Sequence, residues 1–289
     1  MRVTSLSLGA LFLGVALLLP GCGSGRAASG TDGKLVVAAF YPLAYAAAQV
    51  GGAATDVKNL TPAGAEPHDL ELTTGNARDV NRADLVLYLG DGFMPGLETA
   101  VKSRRGRSLD LLPVAERAGG PIAGDPHVWL DPVRYAAMVR RVGVALGDGP
   151  AAARLAQRLT VLDAEYRRGL AHCRRRLIVT SHAAFGYLSR RYRLEQVPLE
   201  GLSPEAEPSA KDIAHLVDLV RSSGATTVFF ETLISPKLAQ TVAREAGVET
   251  AVLDPLEGLG KSAADGGADY FTVMRANLAA LQKALGCTS

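Results

Sequence analysis

The sequence has little of what marks several common classes of protein. Its 31 lysine and arginine residues are nearly balanced by 29 aspartate and glutamate residues, so it lacks the basic excess typical of nucleic-acid-binding proteins. It contains no G-x-S-x-G nucleophile elbow and no H-E-x-x-H motif, and no G-x-G-x-x-G follows its first predicted strand. These absences argue against nucleic-acid binding, against serine-hydrolase chemistry and against a dinucleotide site.

The first 21 residues have the layout of an export signal and not of a membrane span. Arg2 precedes an apolar run that is short and interrupted by glycine. The run ends in LPGC at residues 19–22, which resembles a bacterial lipobox, so we expect Cys22 to be lipidated and to form the mature N-terminus. An ordinary cleaved signal, which leaves Cys22 in the mature chain, is the alternative. Residues 22–33 are rich in Gly and Ser and are predicted to form a flexible tether, so we expect an extracytoplasmic lipoprotein anchored to the membrane.

Cysteine is scarce beyond this segment, since only Cys173 and Cys287 remain. Export places these two thiols in an oxidising compartment, where they can form a disulfide. The sequence leaves the pairing open, because it does not show whether the two Cα atoms come close enough.

Short β-branched runs alternate with amphipathic helical stretches from residue 34 onward. This alternation predicts an α/β fold with mainly parallel sheets. The predicted strands are residues 34–40, 56–61, 84–90, 107–112, 176–182, 194–201, 226–232 and 249–255.

One long helical stretch separates the two groups of predicted strands. Its apolar residues recur at spacings of three and four, at Leu155, Leu159, Leu162, Tyr166 and Leu170. We expect this backbone helix, residues 149–173, to join an N-terminal α/β lobe of residues 34–148 to a C-terminal α/β lobe of residues 174–289.

The five histidines of the chain fall into two groups. His172 and His215 lie within amphipathic helical patterns, which indicates helix-surface residues. His68 lies in a loop broken by Pro and Gly after the second predicted strand, and His127 lies between two Asp-Pro steps. His182 comes at the end of the apolar run LIVT.

Asp254 also lies at the end of a predicted strand, as His182 does. Ligands of open α/β sheets bind beyond the carboxyl ends of the strands, so we expect His68, His127, His182 and Asp254 to face one shared crevice. Three imidazoles and one carboxylate suit Zn²⁺, with Mn²⁺ or Fe²⁺ as alternatives. A capping or hydrogen-bonded core residue is the commoner role for each histidine taken alone, so the residues by themselves leave the metal site open.

Six stretches carry a resemblance that covers essentially the whole mature chain. They are GAEPHDLELT (64–73), DPHVWLDP (125–132), TSHAAFGYLSRRY (180–192), GLSPEAEPSAKDI (201–213), VFFETLISPKLAQTVAREAGV (228–248) and LDPLEGL (253–259). In this order they resemble the zinc/manganese substrate-binding proteins of bacterial ABC transporters. The resemblance implies two α/β lobes joined by a backbone helix, with the metal in the cleft between them and with His68, His127, His182 and Asp254 as its ligands.

Two features bear on which metal is bound. The interval between His68 and His127 lacks the long His-rich loop of many zinc-specific relatives. The third ligand position is His182, where several manganese receptors have a carboxylate, and imidazole-rich sites favour Zn²⁺. We therefore expect Zn²⁺ as the transported ligand, with Mn²⁺ as the alternative.

Several acidic residues lie close to these ligands in the sequence. Asp125, Asp131, Asp69 and Glu66 are candidates to orient an imidazole, or they are ordinary turn and loop residues. Glu231 matches a family position, but we do not predict it to be a ligand.

The resemblance implies a binding protein and not an enzyme. We expect a monomer that captures a divalent transition metal and delivers it to an ABC permease with its cytoplasmic ATPase. A surface adhesin is the first alternative, since lipid anchoring is compatible with both. A zinc-dependent hydrolase is a weaker alternative, because a catalytic zinc keeps one position open, whereas four protein ligands close the site.

Overall fold

The computed structural model describes Met1 and residues 33–202 and 209–288. Apart from Met1, the predicted signal peptide lies outside the described residues, as do Cys22 and all of the predicted tether except Gly33. Among the described helices, none combines the length and the apolar character that a bilayer crossing requires.

Four parallel strands form the first sheet. They are β1 (Lys34–Ala38), β2 (Thr55–Asn59), β3 (Leu85–Tyr88) and β4 (Arg107–Asp110). Their spatial order is β2-β1-β3-β4, and Val36 of β1 pairs with Val57 on one side and with Leu85 on the other. The central strands β1 and β3 are largely buried and apolar, as expected for a parallel sheet that is covered on both faces.

The second sheet repeats this arrangement. Its strands are β5 (Leu177–Thr180), β6 (Glu195–Pro198), β7 (Thr227–Phe230) and β8 (Glu249–Val252). The order β6-β5-β7-β8 is again fully parallel, with Val179 paired to Val197 and to Val228. The predicted α/β class with two parallel sheets is therefore confirmed.

All eight predicted strands are present, and each ends earlier than predicted. Just beyond the observed ends, the Ser181 N–H still donates to the Phe229 carbonyl and the Leu253 N–H to the Phe230 carbonyl, and His182 and Asp254 are the next residues along the chain. Their side chains line the loops at the carboxyl edges of the sheets, where open α/β folds place their ligands.

Helices alternate with these strands along the chain. In the first half they are α1 (Tyr41–Gly51), α2 (Thr74–Arg82), α3 (Pro95–Ser103), α4 (Leu112–Arg117), α5 (Pro132–Leu146) and α6 (Gly149–Gly169). In the second half they are α7 (Gly186–Tyr192), α8 (Ala210–Ser223), α9 (Lys237–Ala246), α10 (Lys261–Asp265) and α11 (Tyr270–Leu285). Short 3₁₀ turns occur at Gly52–Ala54 and Val128–Leu130.

The long helix predicted between the two groups of strands is α6. It begins after Asp148, whose side chain accepts a hydrogen bond from the Ala151 N–H, and its 21 residues span about 32 Å. It ends at Gly169, four residues before the predicted end. It packs against α5 and α11, and the Tyr166 hydroxyl donates to the Met274 carbonyl at 2.6 Å. The assignment of α6 as the connector between two lobes stays a prediction.

The largest apolar core draws side chains from both sheets. It includes Val36 and Leu87 from the first half of the chain and Phe229 and Tyr270 from the second half, all of them at most 1% exposed. A smaller core, which includes Val179, packs the second sheet against α8 and α9. The two halves of the chain therefore share one continuous apolar interior, and such interiors are packed about as densely as organic crystals.

Cys173 and Cys287 form a disulfide in this structure, which settles the pairing that the sequence leaves open. The bond joins the segment before β5 to the chain end after α11. Beside it, the Arg175 N–H donates to the Leu285 carbonyl at 3.1 Å.

We expect the double variant Cys173→Ser/Cys287→Ser to fold but to be less stable. The disulfide spans 114 residues of chain, and a loop of this length restricts the unfolded state enough to stabilise the fold by about 2–4 kcal/mol. Urea unfolding followed by circular dichroism measures the difference. Wild-type protein in reductant is the matched control and should show the same loss, whereas an unchanged unfolding midpoint in both samples contradicts a stabilising role for the bond.

Candidate metal centre

Three predicted histidines and one glutamate converge at the carboxyl edges of the sheets. His68 lies in the loop after β2, His127 lies between α4 and α5, and His182 lies two residues beyond β5. Glu257 follows β8 by five residues. Each offers one ligand-capable atom, and these atoms all lie within 4.8 Å of one another.

The fourth member of this cluster differs from the sequence prediction. One carboxylate oxygen of Glu257, Oε1, lies 2.8 Å from His127 Nε2 and 3.1 Å from His68 Nε2. The same oxygen lies 3.6 Å from His182 Nε2. Glu257, and not the predicted Asp254, supplies the carboxylate of the cluster.

Asp254 instead fixes the turn that delivers Glu257. Its Oδ1 accepts a hydrogen bond from the Leu256 N–H at 2.7 Å, and its Oδ2 accepts one from the Thr232 hydroxyl at 2.8 Å. Asn277 clamps the Asp254 backbone, because its side chain bonds both the N–H and the carbonyl of Asp254. Leu256 has a φ of 58°, a left-handed conformation that is uncommon outside glycine and that helps to set the direction of the chain immediately before Glu257.

A carboxylate behind the ring sets the orientation of His127. The Nδ1 atom lies 2.8 Å from Asp125 Oδ1, which also accepts a hydrogen bond from the His127 backbone N–H at 2.9 Å. The neighbouring Trp129 donates its indole N–H to the Pro255 carbonyl at 2.7 Å. The loop that carries His127 is therefore tied to the loop that carries Glu257.

His182 is oriented in the same way by Glu231. Its Nδ1 lies 2.5 Å from Glu231 Oε1, and the Ser181 hydroxyl donates to the same oxygen. The backbone carbonyl of His182 accepts hydrogen bonds from the Thr180 hydroxyl and the Gln196 amide. Glu231 thus contacts a ring nitrogen that faces away from the cluster, in keeping with the expectation that it is not a ligand.

His68 lies at the more exposed side of the cluster. Its side chain is 6% exposed, whereas those of His127, His182 and Glu257 are fully buried. Its backbone N–H donates to Glu66 Oε1 at 3.2 Å, and its ring packs edge-on against Phe93 with centroids 4.8 Å apart.

The other sequence candidates have separate positions. Asp131 caps α5 by accepting a hydrogen bond from the Val133 N–H, and Asp69 is exposed. His215 is exposed on α8, as its helical pattern predicts, whereas His172 is exposed in the turn after α6 and does not lie within a helix.

Hydrogen bonding between imidazoles and carboxylates dominates the electrostatics of the cluster. Burial lowers the pKa of His182, but hydrogen bonds with Glu231 and Glu257 raise it more, to about 10. Burial also lowers the pKa of His127, and its bonds with Asp125 and Glu257 reverse the effect, so the net shift is upward. Burial raises the pKa of Glu257, but its bonds with the three imidazoles outweigh this and hold its pKa well below the usual range. The interior of the cluster favours positive charge.

Further carboxylates lie around this centre. Burial, and then the charge of Glu257, raise the pKa of Glu66 to about 8, and burial raises the pKa of Asp254. Among the described residues, one oxygen each of Glu66, Glu231 and Glu257 is buried without a hydrogen-bond partner. Buried carboxylate oxygens without partners are costly, and a cation offsets that cost.

The spacing of the donor atoms fits a small tetrahedral ion. Zinc bonds to imidazole nitrogen are about 2.0–2.1 Å long, so two nitrogens on a tetrahedral zinc are about 3.3 Å apart. The Nε2 atoms of His127 and His182 are 3.4 Å apart, and the distances from Glu257 to the three imidazoles bracket the same value. The residues therefore fit a four-coordinate divalent metal with three nitrogen donors and one oxygen donor.

Comparison with known proteins finds relatives that are named for zinc binding or zinc uptake. Residues 36–284 match the family described as zinc-uptake complex component A, periplasmic. The chain is 36% identical to the zinc-binding protein AdcA of Streptococcus pyogenes serotype M18 over 288 residues, which cover 87% of this chain but only 56% of that longer protein. It is 32% identical to the high-affinity zinc uptake system protein ZnuA of Bacillus subtilis, covering 93% and 94% of the two chains.

A solved structure with the same fold is the Zn(II)-bound ZnuA-like domain of Streptococcus pneumoniae AdcA. Its TM-score to this chain is 0.75 at 33% identity, covering 88% of this chain and 99% of that one. These relatives are named for zinc binding or zinc uptake, which confirms the expectation that this chain is a binding protein and not an enzyme.

The roles of Glu257 and Asp254 can be separated by two nearly isosteric substitutions. Glu257→Gln removes the charge at the centre of the cluster and should weaken zinc binding by more than about tenfold. Asp254→Asn keeps an oxygen that can accept from the Leu256 N–H, so it should weaken binding much less. Competition with a chromophoric zinc chelator measures both affinities, and circular dichroism checks the fold. A greater loss in Asp254→Asn than in Glu257→Gln contradicts this assignment.

Proposed function

The chain belongs to the family of periplasmic zinc-uptake component A proteins, and from this premise we propose that it captures zinc outside the cytoplasmic membrane and delivers it to an ABC permease. His68, His127, His182 and Glu257 are the proposed ligands. The observation that carries the proposal is the convergence of three Nε2 atoms and one carboxylate oxygen within 4.8 Å of one another in a buried site.

The donor set supports zinc over manganese. Imidazole nitrogen suits zinc, whereas manganese sites are usually richer in carboxylate, carbonyl and water oxygens. Zinc also stands above manganese in the affinity order for divalent metals. The names of the relatives AdcA and ZnuA refer to zinc binding and zinc uptake, which supports the same metal for this chain.

The number of donors supports capture and not catalysis. A catalytic zinc keeps a coordination position for water or substrate, whereas three histidines and a glutamate complete a tetrahedron. With all four positions taken by protein ligands, the site can hold the cation but offers no position for a water or a substrate. Release to a permease with its cytoplasmic ATPase gives the bound ion a destination, and lipidation at Cys22 would keep the protein at the membrane.

The direct test is metal analysis of protein purified without chelator, followed by competition between Zn²⁺ and Mn²⁺. We expect one zinc ion per chain and displacement of manganese by zinc. His127→Ala should lose the ion, because it removes one of the four donors. His215→Ala is the matched control, since His215 is exposed on α8 and should leave stoichiometry unchanged. Tighter binding of manganese than of zinc would overturn the choice of metal.

Uptake by cells separates the receptor from the adhesin alternative. Deletion of the protein should reduce permease-dependent zinc uptake, and the His127→Ala variant should fail to restore it. Normal uptake in the deletion strain would remove the transport role and leave surface adhesion as the function to examine.

Zinc affinity should fall as the pH drops from 7.5 to 5.5. An imidazole nitrogen binds the metal only after it has lost its proton, so protons compete with zinc at three ligands. Isothermal titration at a series of pH values measures this decline, and the His215→Ala variant should follow the wild-type curve. A flat profile contradicts a site with three histidine ligands.

A further inference from the structure

The edge of the second sheet opposite the candidate metal centre carries a pocket rich in arginine. Arg176 directly precedes β5, whereas His182 lies beyond the carboxyl end of the same strand. Four of the seven lining residues are arginine, and none is acidic or belongs to the metal cluster. This arginine pocket is open to solvent, has a volume of about 500 Å³ and is lined by Arg167, Leu170, Ala171, Arg176, Arg191, Tyr192 and Arg193.

A buried carboxylate holds two of these arginines in place. Asp163 on α6 is 6% exposed and accepts hydrogen bonds from Nε and Nη2 of Arg191 at 2.8 and 2.9 Å. Arg167 Nε lies 3.0 Å from Asp163 Oδ2. Asp131, which pairs with Arg134 at 3.2 Å, is a more distant neighbour of Arg191 at 3.7 Å. Two carboxylates are thus shared by three arginines, which leaves an excess of positive charge.

Arg176 is held without any carboxylate. Its Nη1 donates to the Leu170 carbonyl at 2.7 Å, and its Nη2 donates to the Ala171 carbonyl at 2.8 Å. These carbonyls lie directly after α6, where backbone oxygens lack partners within the helix and the helix dipole is negative. The guanidinium group is therefore fixed in position while its charge stays unpaired by an acidic residue.

Arg193 adopts a backbone conformation that normally selects glycine. It follows α7 with a φ of 56°, in the left-handed region. Four other described helices end on a residue of this conformation, and all four are glycine, at Gly147, Gly224, Gly247 and Gly286. A side chain at such a position costs free energy that glycine avoids.

Nothing inside the fold explains this choice of residue. Arg193 is exposed, and within the described part of the chain its side chain makes no hydrogen bond or ion pair. What the side chain does is line the arginine pocket. A costly conformation that is kept without an internal contact indicates a role toward a ligand.

The arginine pocket has the chemistry of a phosphate site. A guanidinium group is planar and permanently charged, and its N–H groups match two oxygens of one phosphate. Arg167, Arg176 and Arg191 are already held by the fold, which lowers the ordering cost when an anion binds. The volume lies within the range of about 300–1,000 Å³ that small-molecule sites occupy, so the pocket admits a small organic phosphate.

We propose that the arginine pocket binds a small anion that carries a phosphate group, with Arg193 as a direct contact. This site is separate from the metal centre and does not depend on the function proposed above. A phosphate monoester carries close to two negative charges at neutral pH, so it matches the unpaired guanidinium groups better than a singly charged diester does.

The position of the pocket favours a dissolved compound over a lipid headgroup. Lys34 Nζ donates to the Leu146 carbonyl at 3.2 Å, which places the start of β1 beside the first residues of α6. The arginine pocket lies at the other end of that helix, about 32 Å away. The segment that leads to the predicted lipid anchor at Cys22 therefore joins the fold far from the pocket.

Isothermal titration of the full chain with glycerol 3-phosphate at low ionic strength tests the proposal. We expect one saturable site per chain, whose affinity falls as added salt screens the charges. Arg193→Gly should weaken binding by about fivefold or more, because it removes a charged donor. The thermal unfolding midpoint should stay nearly unchanged, since glycine suits the left-handed conformation. Arg167→Gln should weaken binding similarly, while Asp163 keeps its bonds with Arg191.

Arg154→Gln is the matched control. Arg154 is exposed on the same helix as Arg167 but does not line the pocket, so this variant should bind like the wild type. Absence of saturable binding by the wild-type chain overturns the site. An equal loss in Arg154→Gln shows general charge attraction and also overturns it, as does wild-type affinity in both pocket variants.

Glycerophosphoglycerol, the soluble headgroup of phosphatidylglycerol, distinguishes a dissolved compound from a lipid. As a diester with a single negative charge, it should bind about fivefold or more weakly than glycerol 3-phosphate. Binding of the diester as tight as that of the monoester, lost in Arg193→Gly, overturns the choice of a dissolved monoester and assigns the pocket to a lipid headgroup.

Discussion

Two carboxylates behind two buried imidazoles are the constraint on which the candidate centre depends. Asp125 lies against Nδ1 of His127, and Glu231 lies against Nδ1 of His182. When each Nδ1 donates its hydrogen to the carboxylate, the ring is fixed and the lone pair lies on Nε2. The two Nε2 atoms then face each other across 3.4 Å, where only a proton or a cation relieves their repulsion.

The same groups can balance the charge of the cluster without a cation. A buried carboxylate such as Glu257 is costly unless it is paired, and three imidazoles pair with it here. Because protons on the imidazoles replace the cation, the charge stays balanced without the metal. A structural zinc site lacks this substitute, and its domain unfolds when the metal is removed. The proposed capture and release of the ion would require the first arrangement.

The succession of strands and helices along the chain and three of the four clustered residues could be predicted from the sequence, whereas the order of the strands within each sheet was not predicted. Apolar β-branched runs such as KLVVA and LVLY alternate with helices, and this alternation predicts parallel sheets with their carboxyl edges on one side. His182 follows such a run directly. His68 and His127 lie in loops that contain Pro and Gly, and the same alternation of strands and helices predicts that these loops lie at those edges.

Glu257 could not be predicted in this way, because its position depends on a turn that the sequence pattern does not reveal. Asp254 follows β8 as His182 follows β5, so the two look alike along the chain. The difference lies in long-range contacts: Asn277 holds the Asp254 backbone, and Thr232 and the Leu256 N–H use both of its carboxylate oxygens. With Leu256 in a left-handed conformation, the chain leads into the cluster at Glu257. A polar residue directly after a strand can therefore be a ligand itself, or it can fix the turn that places a ligand further along the chain. Only tertiary contacts distinguish these two roles.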